Sequence, residues 1–152
     1  MQSDNLIGAV GISQMMVRPG DTALAHGSGD MPILSASFLL TLMESAANSA
    51  LAEFLENAES TVLSDIDIEV LHPVAIGSEV QGSATCIAFE NGSLTFACEI
   101  HDGPRLVAAS MMRRTVVERV SFLARAAALS IMTQKSEATL LSDNPDSRKP
   151  RL

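Results

Sequence analysis

The residues best suited to chemistry lie between positions 26 and 47. A glycine-rich, acidic loop with the sequence HGSGDMPIL leads into a long apolar segment, and Glu44 is the only acidic residue between positions 35 and 52. The start of a helix offers unpaired backbone N–H groups and a partial positive charge. A carboxylate near that start can act on a carbonyl group held there. The segment therefore predicts an acyl-transfer or hydrolysis site.

Four side chains are candidates for this chemistry. Glu44 lies at the margin of the apolar stripe and could act as a general base or as a nucleophile. Ser35 and Ser37 stand at the expected helix start, where a hydroxyl can donate a hydrogen bond to the reacting group, or can simply cap the helix. His72 could orient or protonate a partner. If the alternation of the preceding strand continues to this position, its side chain should point inward. The alternative is that His72, beside Pro73, has only a structural role, with its hydrogen bonds made to the protein itself.

A helix is expected from about Ser35 to Leu55. The apolar residues recur at spacings of three and four, which is the helical period. They are Leu39, Met43, Ala46, Ala47, Ala50 and Phe54. Further leucines beside this stripe make the helix unusually apolar, so we expect a sheet to wrap around it.

The remaining pattern alternates with period two, which is typical of strands. A short strand is expected over 13–17, before the helix. Four more are expected over about 61–70, 79–89, 93–100 and 105–118, with a two-residue hairpin turn at Asn91-Gly92. Antiparallel strands that follow one buried helix predict an α+β fold with a curved antiparallel sheet around a long central helix.

The predicted hairpin also places the two cysteines. Counting back from the turn puts Cys86 opposite Ala97 and Cys98 opposite Thr85. The two thiols would then point to opposite faces of the sheet, and a disulfide between them is not expected. Their spacing from the three histidines predicts no metal site.

Composition limits the class of protein. A chain of 152 residues suits one domain, predicted over 1–134 with a C-terminal helix over 119–134, followed by a mobile polar tail over 135–152. The net charge of −8 and the 3% aromatic content disfavour binding to nucleic acid. We predict that five arginines are individually solvated. They are Arg18, Arg105, Arg113, Arg114 and Arg119.

The expected location is the cytoplasm. No apolar run is long enough to span a bilayer, and the first residues, MQSDNLIGAVG, lack the basic and apolar regions of a secretory signal. The two cysteines offer no disulfide framework. We therefore expect a protein that does not associate with membranes.

Several segments together resemble the hotdog-fold thioesterases, in the branch that resembles fluoroacetyl-CoA thioesterase. The resemblance covers about residues 14–118. Its segments are DTA from position 21, GSGDMPIL from 27, LMESAA from 42, DIEVLHP from 67 with Gly77, and ACEIHDG from 97. The resemblance implies a hotdog subunit in a homodimer or a larger homo-oligomer. It also implies an acyl-CoA substrate and no metal or redox cofactor, with CoA present only as part of the substrate.

The branch uses a Thr or Ser just before the helix, a Glu on the helix and a His on the next strand. Glu44 matches the Glu position. The position where the branch has its Thr or Ser falls on Ala36, between Ser35 and Ser37. The position where the branch has its His falls on Val70. The resemblance thus assigns Glu44 directly and leaves neighbouring residues to supply the other two groups.

The resulting hypothesis is an acyl-CoA thioesterase that uses Glu44, assisted by His72, Ser37 and Ser35. Six residues are expected to bind the substrate. They are Gly27, Gly29, Pro32, Phe38, Leu39 and Leu42. Two alternatives stay open: a non-catalytic hotdog protein that binds acyl-CoA, and a hotdog hydratase or dehydratase that uses His72 and Glu44.

Overall fold

The computed structural model describes residues 1–143. A short 3₁₀ turn at Pro19–Asp21 follows the first strand. The other elements, in chain order, are β1 (Val10–Met16), α1 (Ala23–His26), α2 (Ala36–Leu51), β2 (Glu59–Val70), β3 (Glu79–Glu90), β4 (Ser93–Asp102), β5 (Arg105–Glu118) and α3 (Arg119–Ser142).

One five-stranded sheet carries the long apolar helix α2. The strand order is β1-β3-β4-β5-β2, so β1 and β2 form the two edges and β5 is the neighbour of β2. The β1–β3, β3–β4 and β4–β5 pairs are antiparallel. The predicted α+β architecture, with a central helix against an antiparallel sheet, is confirmed.

The helix lies very close to the sheet because two glycines face it. A Cβ atom on Gly11 of β1 would overlap the backbone of Ala46 and Ala50 in α2. A Cβ atom on Gly82 of β3 would press on the side chain of Leu42. Since the facing helix residues are largely alanines, the backbones approach each other directly, and this contact sets the position of α2.

The predicted Asn-Gly hairpin is confirmed, but the register beyond it is not the predicted one. Asn91 and Gly92 have φ values of 51° and 76°, as a two-residue hairpin turn requires. A bulge at Ile87 then shifts the pairing by one residue, so that Cys86 pairs with Phe96 and Cys98 with Ala84. The prediction that the thiols face opposite sides is therefore wrong, because a one-residue shift reverses the face of a strand.

Both cysteines lie on the inner face of the sheet, where they are buried and free. Burial raises the pKa of the Cys86 thiol and of the Cys98 thiol. A buried thiol with a raised pKa is a poor nucleophile. The cysteines therefore belong to the core rather than to a reactive site.

The chain divides into two compact units, and the second begins at Glu118. Helix α3 begins at Arg119, as predicted, and the Glu118 carboxylate caps it by accepting hydrogen bonds from the N–H groups of Val120 and Ser121. The predicted end at 134 is eight residues too early, because good helix formers continue to Ser142. The last part of the predicted tail, 144–152, lies outside the described residues. Membership of α3 in one domain with the rest stays a prediction.

No helix within residues 1–143 combines the length and the hydropathy needed to cross a membrane.

Candidate active site

Three serines meet at the start of α2. Ser35 occupies the N-cap position and is 1% exposed, and its N–H donates to the Asp21 carbonyl oxygen at 2.9 Å. Its hydroxyl does not cap the helix. The Ser35 Oγ atom instead lies 2.9 Å from Ser37 Oγ and 3.2 Å from Ser28 Oγ. The predicted hydroxyl pair is thus part of a chain of three hydrogen-bonded hydroxyls that links the glycine-rich loop to the helix.

The loop before α2 is folded by its own polar contacts. Asp21 is buried and accepts hydrogen bonds from the backbone N–H and the Nε of Arg18, at 2.9 and 3.3 Å. The Arg18 backbone N–H, and then its side chain, lower the pKa of the Asp21 carboxyl. Thr22 Oγ1 caps α1 by accepting a bond from the Ala25 N–H, and Gly27 ends α1 with a φ of 69°. The loop therefore holds a defined shape beside the helix start.

The structure separates the predicted substrate-binding residues into two groups. Gly27, Gly29 and Pro32 are exposed on the loop. Phe38 is half-buried, and the His26 ring packs edge-on against it with ring centres 4.8 Å apart. Two leucines instead belong to the core: Leu39 and Leu42 are 3% and 5% exposed. Contact of any of these residues with substrate stays a prediction.

Glu44 lies in the third turn of α2, and its side chain is 31% exposed. Its Oε2 atom accepts a hydrogen bond of 2.7 Å from Nη1 of Arg114 on β5. The same contact is an ion pair between the two side chains. The position at the margin of the apolar stripe is therefore as predicted. What the sequence did not predict is the cation that holds the carboxylate.

Arg114 is almost completely buried, with 5% of its side chain exposed. Its Nε donates to Thr61 Oγ1 at 2.9 Å, and its Nη2 donates to the Thr61 carbonyl oxygen at 3.0 Å. Because Thr61 lies on β2, the guanidinium joins β2, β5 and α2 at one point. The prediction that this arginine is solvated is wrong.

The burial of Arg114 could have been predicted from the alternation of buried and exposed residues along β5. Ala108, Ser110, Met112 and Arg114 are all buried at spacings of two, whereas Arg113 is exposed. Within residues 1–143, the Arg113 side chain forms only an exposed ion pair with Asp65, at 3.4 Å. Extending the inward face of the strand by one more position would have placed Arg114 inside.

Ser37 and Glu44 lie on the same side of α2. They are seven residues apart, which is close to two full turns. At 1.5 Å per residue this spacing separates them by about 10 Å along the helix axis. The chain of hydroxyls and the anchored carboxylate therefore flank one stretch of the helix surface.

His72 is not brought to these groups. It lies beyond the end of β2 and is exposed, and its backbone N–H donates to the Val107 carbonyl oxygen at 3.2 Å. The Leu71 N–H donates to the same oxygen, so the regular alternation has already ended. The expectation that His72 points inward is therefore wrong. Its imidazole has no hydrogen bond or ion pair with Glu44, Ser35 or Ser37 in the part of the chain that the structure describes, and its catalytic role stays a prediction.

A concavity of about 590 Å³ lies elsewhere, across β4, β5 and β2, with Asp67, Glu99 and Met111 among its lining residues. It contains none of the predicted site residues. Among residues 1–143, no cluster of three or more His, Cys, Asp or Glu side chains is arranged to hold a metal ion.

A long apolar helix packed against a five-stranded antiparallel sheet defines the hotdog class of α+β proteins. Within that class, the sequence identifies one family: the family described as fluoroacetyl-CoA-specific thioesterase (FlK) matches residues 17–120. The chain belongs to this family, and the resemblance inferred from its motifs is confirmed. As a member, the protein is a thioesterase, a hydrolase that acts on acyl-CoA thioesters.

Solved structures agree on the fold. The fluoroacetyl-CoA thioesterase FlK superposes with a TM-score of 0.75 at 22% identity, over 80% of this chain and 95% of that one. A Thermus thermophilus hypothetical protein of the thioesterase superfamily gives 0.78 at 18% identity, over 85% and 96%. A hot-dog-like protein from Thermanaerovibrio acidaminovorans gives 0.76 at 21% identity, over 84% and 96%. A comparison with curated protein sequences found no significant match.

Proposed function

We propose that this protein hydrolyses an acyl-CoA to a carboxylate and free CoA at the surface of α2 between Ser37 and Glu44. The observation that carries the proposal is the anchored carboxylate of Glu44. One of its oxygens is bound to Arg114 at 2.7 Å. The other oxygen, Oε1, has no hydrogen-bond partner within residues 1–143 and belongs to a side chain that solvent reaches. Structures of FlK variants hold fluoroacetate with CoA, and acetyl-CoA, which supports a CoA thioester as the ligand.

Glu44 can act through its free oxygen in two balanced ways. As a general base, Oε1 takes a proton from water while the water oxygen bonds to the thioester carbon. The C–S bond then breaks, and the CoA thiolate takes up the proton. As a nucleophile, Oε1 itself bonds to that carbon and expels the thiolate, and water cleaves the resulting anhydride. Both routes end at the same carboxylate and CoA.

The start of α2 supplies the stabilisation of negative charge in this proposal. The first turn of a helix leaves N–H groups without intrahelical acceptors. The N–H groups of Ala36 and Ser37 can donate to the developing oxyanion, with the helix dipole in favourable orientation. The Ser37 hydroxyl, held by Ser35, adds a further donor. Hydrolysis by these groups needs no metal and no cofactor other than the CoA of the substrate.

We also propose a cytoplasmic homodimer. β2 is an edge strand of 12 residues, and its free edge can pair with a second copy through main-chain hydrogen bonds. Thr61 on this strand holds Arg114, so a partner paired along β2 would border the site. The free thiols of Cys86 and Cys98 suit a reducing compartment. Sedimentation velocity would show a dimer, and a monomer at micromolar concentration would contradict this part of the proposal.

The experiment is a panel of CoA esters with acetyl, fluoroacetyl, medium-chain and aromatic acyl groups, with release of thiol as the readout. We expect release from at least one ester, with equimolar carboxylate by mass spectrometry. Thermal stabilisation by acyl-CoA without thiol release from any ester would overturn the proposal in favour of a binding protein. An enoyl-CoA arm, monitored through loss of the conjugated double bond, would likewise reveal a hydratase.

A further inference from the structure

The guanidinium of Arg114 is shared between a structural partner and the proposed catalytic carboxylate. Two of its nitrogens, Nε and Nη2, are bound to the side chain and the carbonyl of a single residue, Thr61. The third, Nη1, is bound to Glu44 Oε2. Thr61 is itself only 7% exposed. The two-point attachment to Thr61 fixes the plane of the guanidinium, and this plane in turn fixes where Nη1 meets the carboxylate.

Glu44 has no comparable anchor without this contact. It projects from a helix whose nearby exposed residues, Thr41 and Ser45, give it no hydrogen bond within residues 1–143. A free glutamate side chain samples several rotamers, each of which places the carboxylate differently. A carboxylate that must meet a thioester carbon or its attacking water needs a fixed position.

We propose that Arg114 is a positioning residue for the hydrolysis: held by Thr61, it anchors Glu44 Oε2 so that Oε1 is presented to the substrate. The inference rests on the proposed function, since it names the group that makes Glu44 effective. It extends the site from α2 to the β5–β2 pair. It also assigns a role to a buried cation for which the fold itself supplies no other acidic partner within residues 1–143.

The competing explanation is that the ion pair only stabilises the fold. The two explanations differ in kinetics. Loss of a positioning residue lowers kcat while KM changes little, because the substrate still binds. Loss of a purely structural pair lowers the melting temperature and leaves kcat of the folded fraction unchanged.

The test compares Arg114→Ala, Arg114→Lys and Thr61→Val with Arg113→Ala, the adjacent exposed arginine on the opposite face of the same strand. We expect kcat to fall about 100-fold in Arg114→Ala, the scale of a misplaced catalytic group. Arg114→Lys keeps the charge but cannot reproduce the two-point contact with Thr61, so it should also be impaired. Millimolar guanidinium should partly restore kcat of Arg114→Ala and leave Arg113→Ala unchanged.

Thr61→Val removes only the Oγ1 acceptor and keeps the shape of the side chain. It keeps the proposal falsifiable if the Arg114 variants do not fold, and we expect a lower kcat in a folded protein. Unchanged kcat in folded Arg114→Ala, or in Thr61→Val when the former is unfolded, would overturn the inference. If wild type and Glu44→Gln both show only background hydrolysis, the proposed function itself has failed, which is a distinct result.

Discussion

Arg114 on β5 donates a 2.7 Å hydrogen bond from Nη1 to Glu44 Oε2 on α2. The contact joins residues 70 positions apart and places a buried cation directly behind the proposed catalytic carboxylate. The other side of the guanidinium is bound to Thr61 of the edge strand β2. The carboxylate is thus held by the sheet as well as by its own helix.

The first prediction concerns stability at this contact. Arg114→Met removes three hydrogen bonds and leaves Thr61 without its partner, so the free energy of unfolding should fall by about 3 kcal/mol. Arg113→Met removes only an exposed ion pair and should cost less than about 1 kcal/mol. Urea unfolding of both variants measures the difference. Equal losses would show that the buried pair adds no stability.

The second prediction concerns the close contact between helix and sheet. Gly11→Ala places a methyl group against the backbone of Ala46 and Ala50. Backbone atoms cannot relieve this overlap by a change of rotamer, as a side chain could. The free energy of unfolding should fall by about 2–3 kcal/mol. Gly20→Ala, whose added methyl meets open space, serves as the control. A Gly11→Ala variant as stable as the Gly20→Ala variant would contradict the described packing.

The third prediction concerns the chain of hydroxyls. Ser37→Ala removes the exposed hydroxyl, and Ser35→Ala removes the buried one that holds it. Each should lower kcat roughly 3- to 10-fold, the scale of one neutral hydrogen bond. Ser45→Ala, exposed on the same helix, is the control for rates of thiol release. If Ser37→Ala hydrolyses at the wild-type rate, its hydroxyl has no part in the reaction.

The fourth prediction concerns pH and the loop before α2. Hydrogen bonds from Arg18 lower the pKa of Asp21 in the folded protein, so folding favours the ionised carboxylate. This contribution is present above the ordinary pKa of a carboxyl group and is lost as the pH falls through the lowered value. At pH 7, Asp21→Asn should therefore unfold at a lower midpoint urea concentration than wild type. The difference between the two midpoints should become smaller as the pH is lowered. Asp67→Asn, at an exposed position, is the control. A midpoint difference that grows in acid would contradict the lowered pKa of Asp21.

Much of the fold could be predicted from local sequence patterns. Helix α2 and strand β5 were predictable because their periods are long and uninterrupted, and the Asn91-Gly92 turn because both residues accept a positive φ. The bulge at Ile87 was not predictable, since an extra residue in a strand depends on how the whole sheet packs. The error in the cysteine register followed from that one residue.

The site was predictable only in part. Glu44 stands out because it is the only charged residue of α2, and Ser35 and Ser37 stand out because they lie at the start of that helix. Arg114 was missed because a charged residue is usually exposed, and only its three hydrogen bonds to Thr61 and Glu44 make its burial tolerable. The inward orientation of His72 was expected wrongly, because the alternation of β2 was extended past the end of the strand, where Leu71 and His72 share one carbonyl acceptor.

The role of Glu44 in hydrolysis is tested by the rate of thiol release by wild type, Glu44→Gln and Glu53→Gln, with a chelator present throughout. Glu53 is an exposed glutamate just beyond the end of α2, so its variant has the same change of charge. We expect Glu44→Gln to lose at least about 100-fold in kcat, as for loss of a general base or nucleophile, while Glu53→Gln matches wild type. A folded Glu44→Gln variant that hydrolyses acyl-CoA at the wild-type rate would show that Glu44 does not act in the hydrolysis.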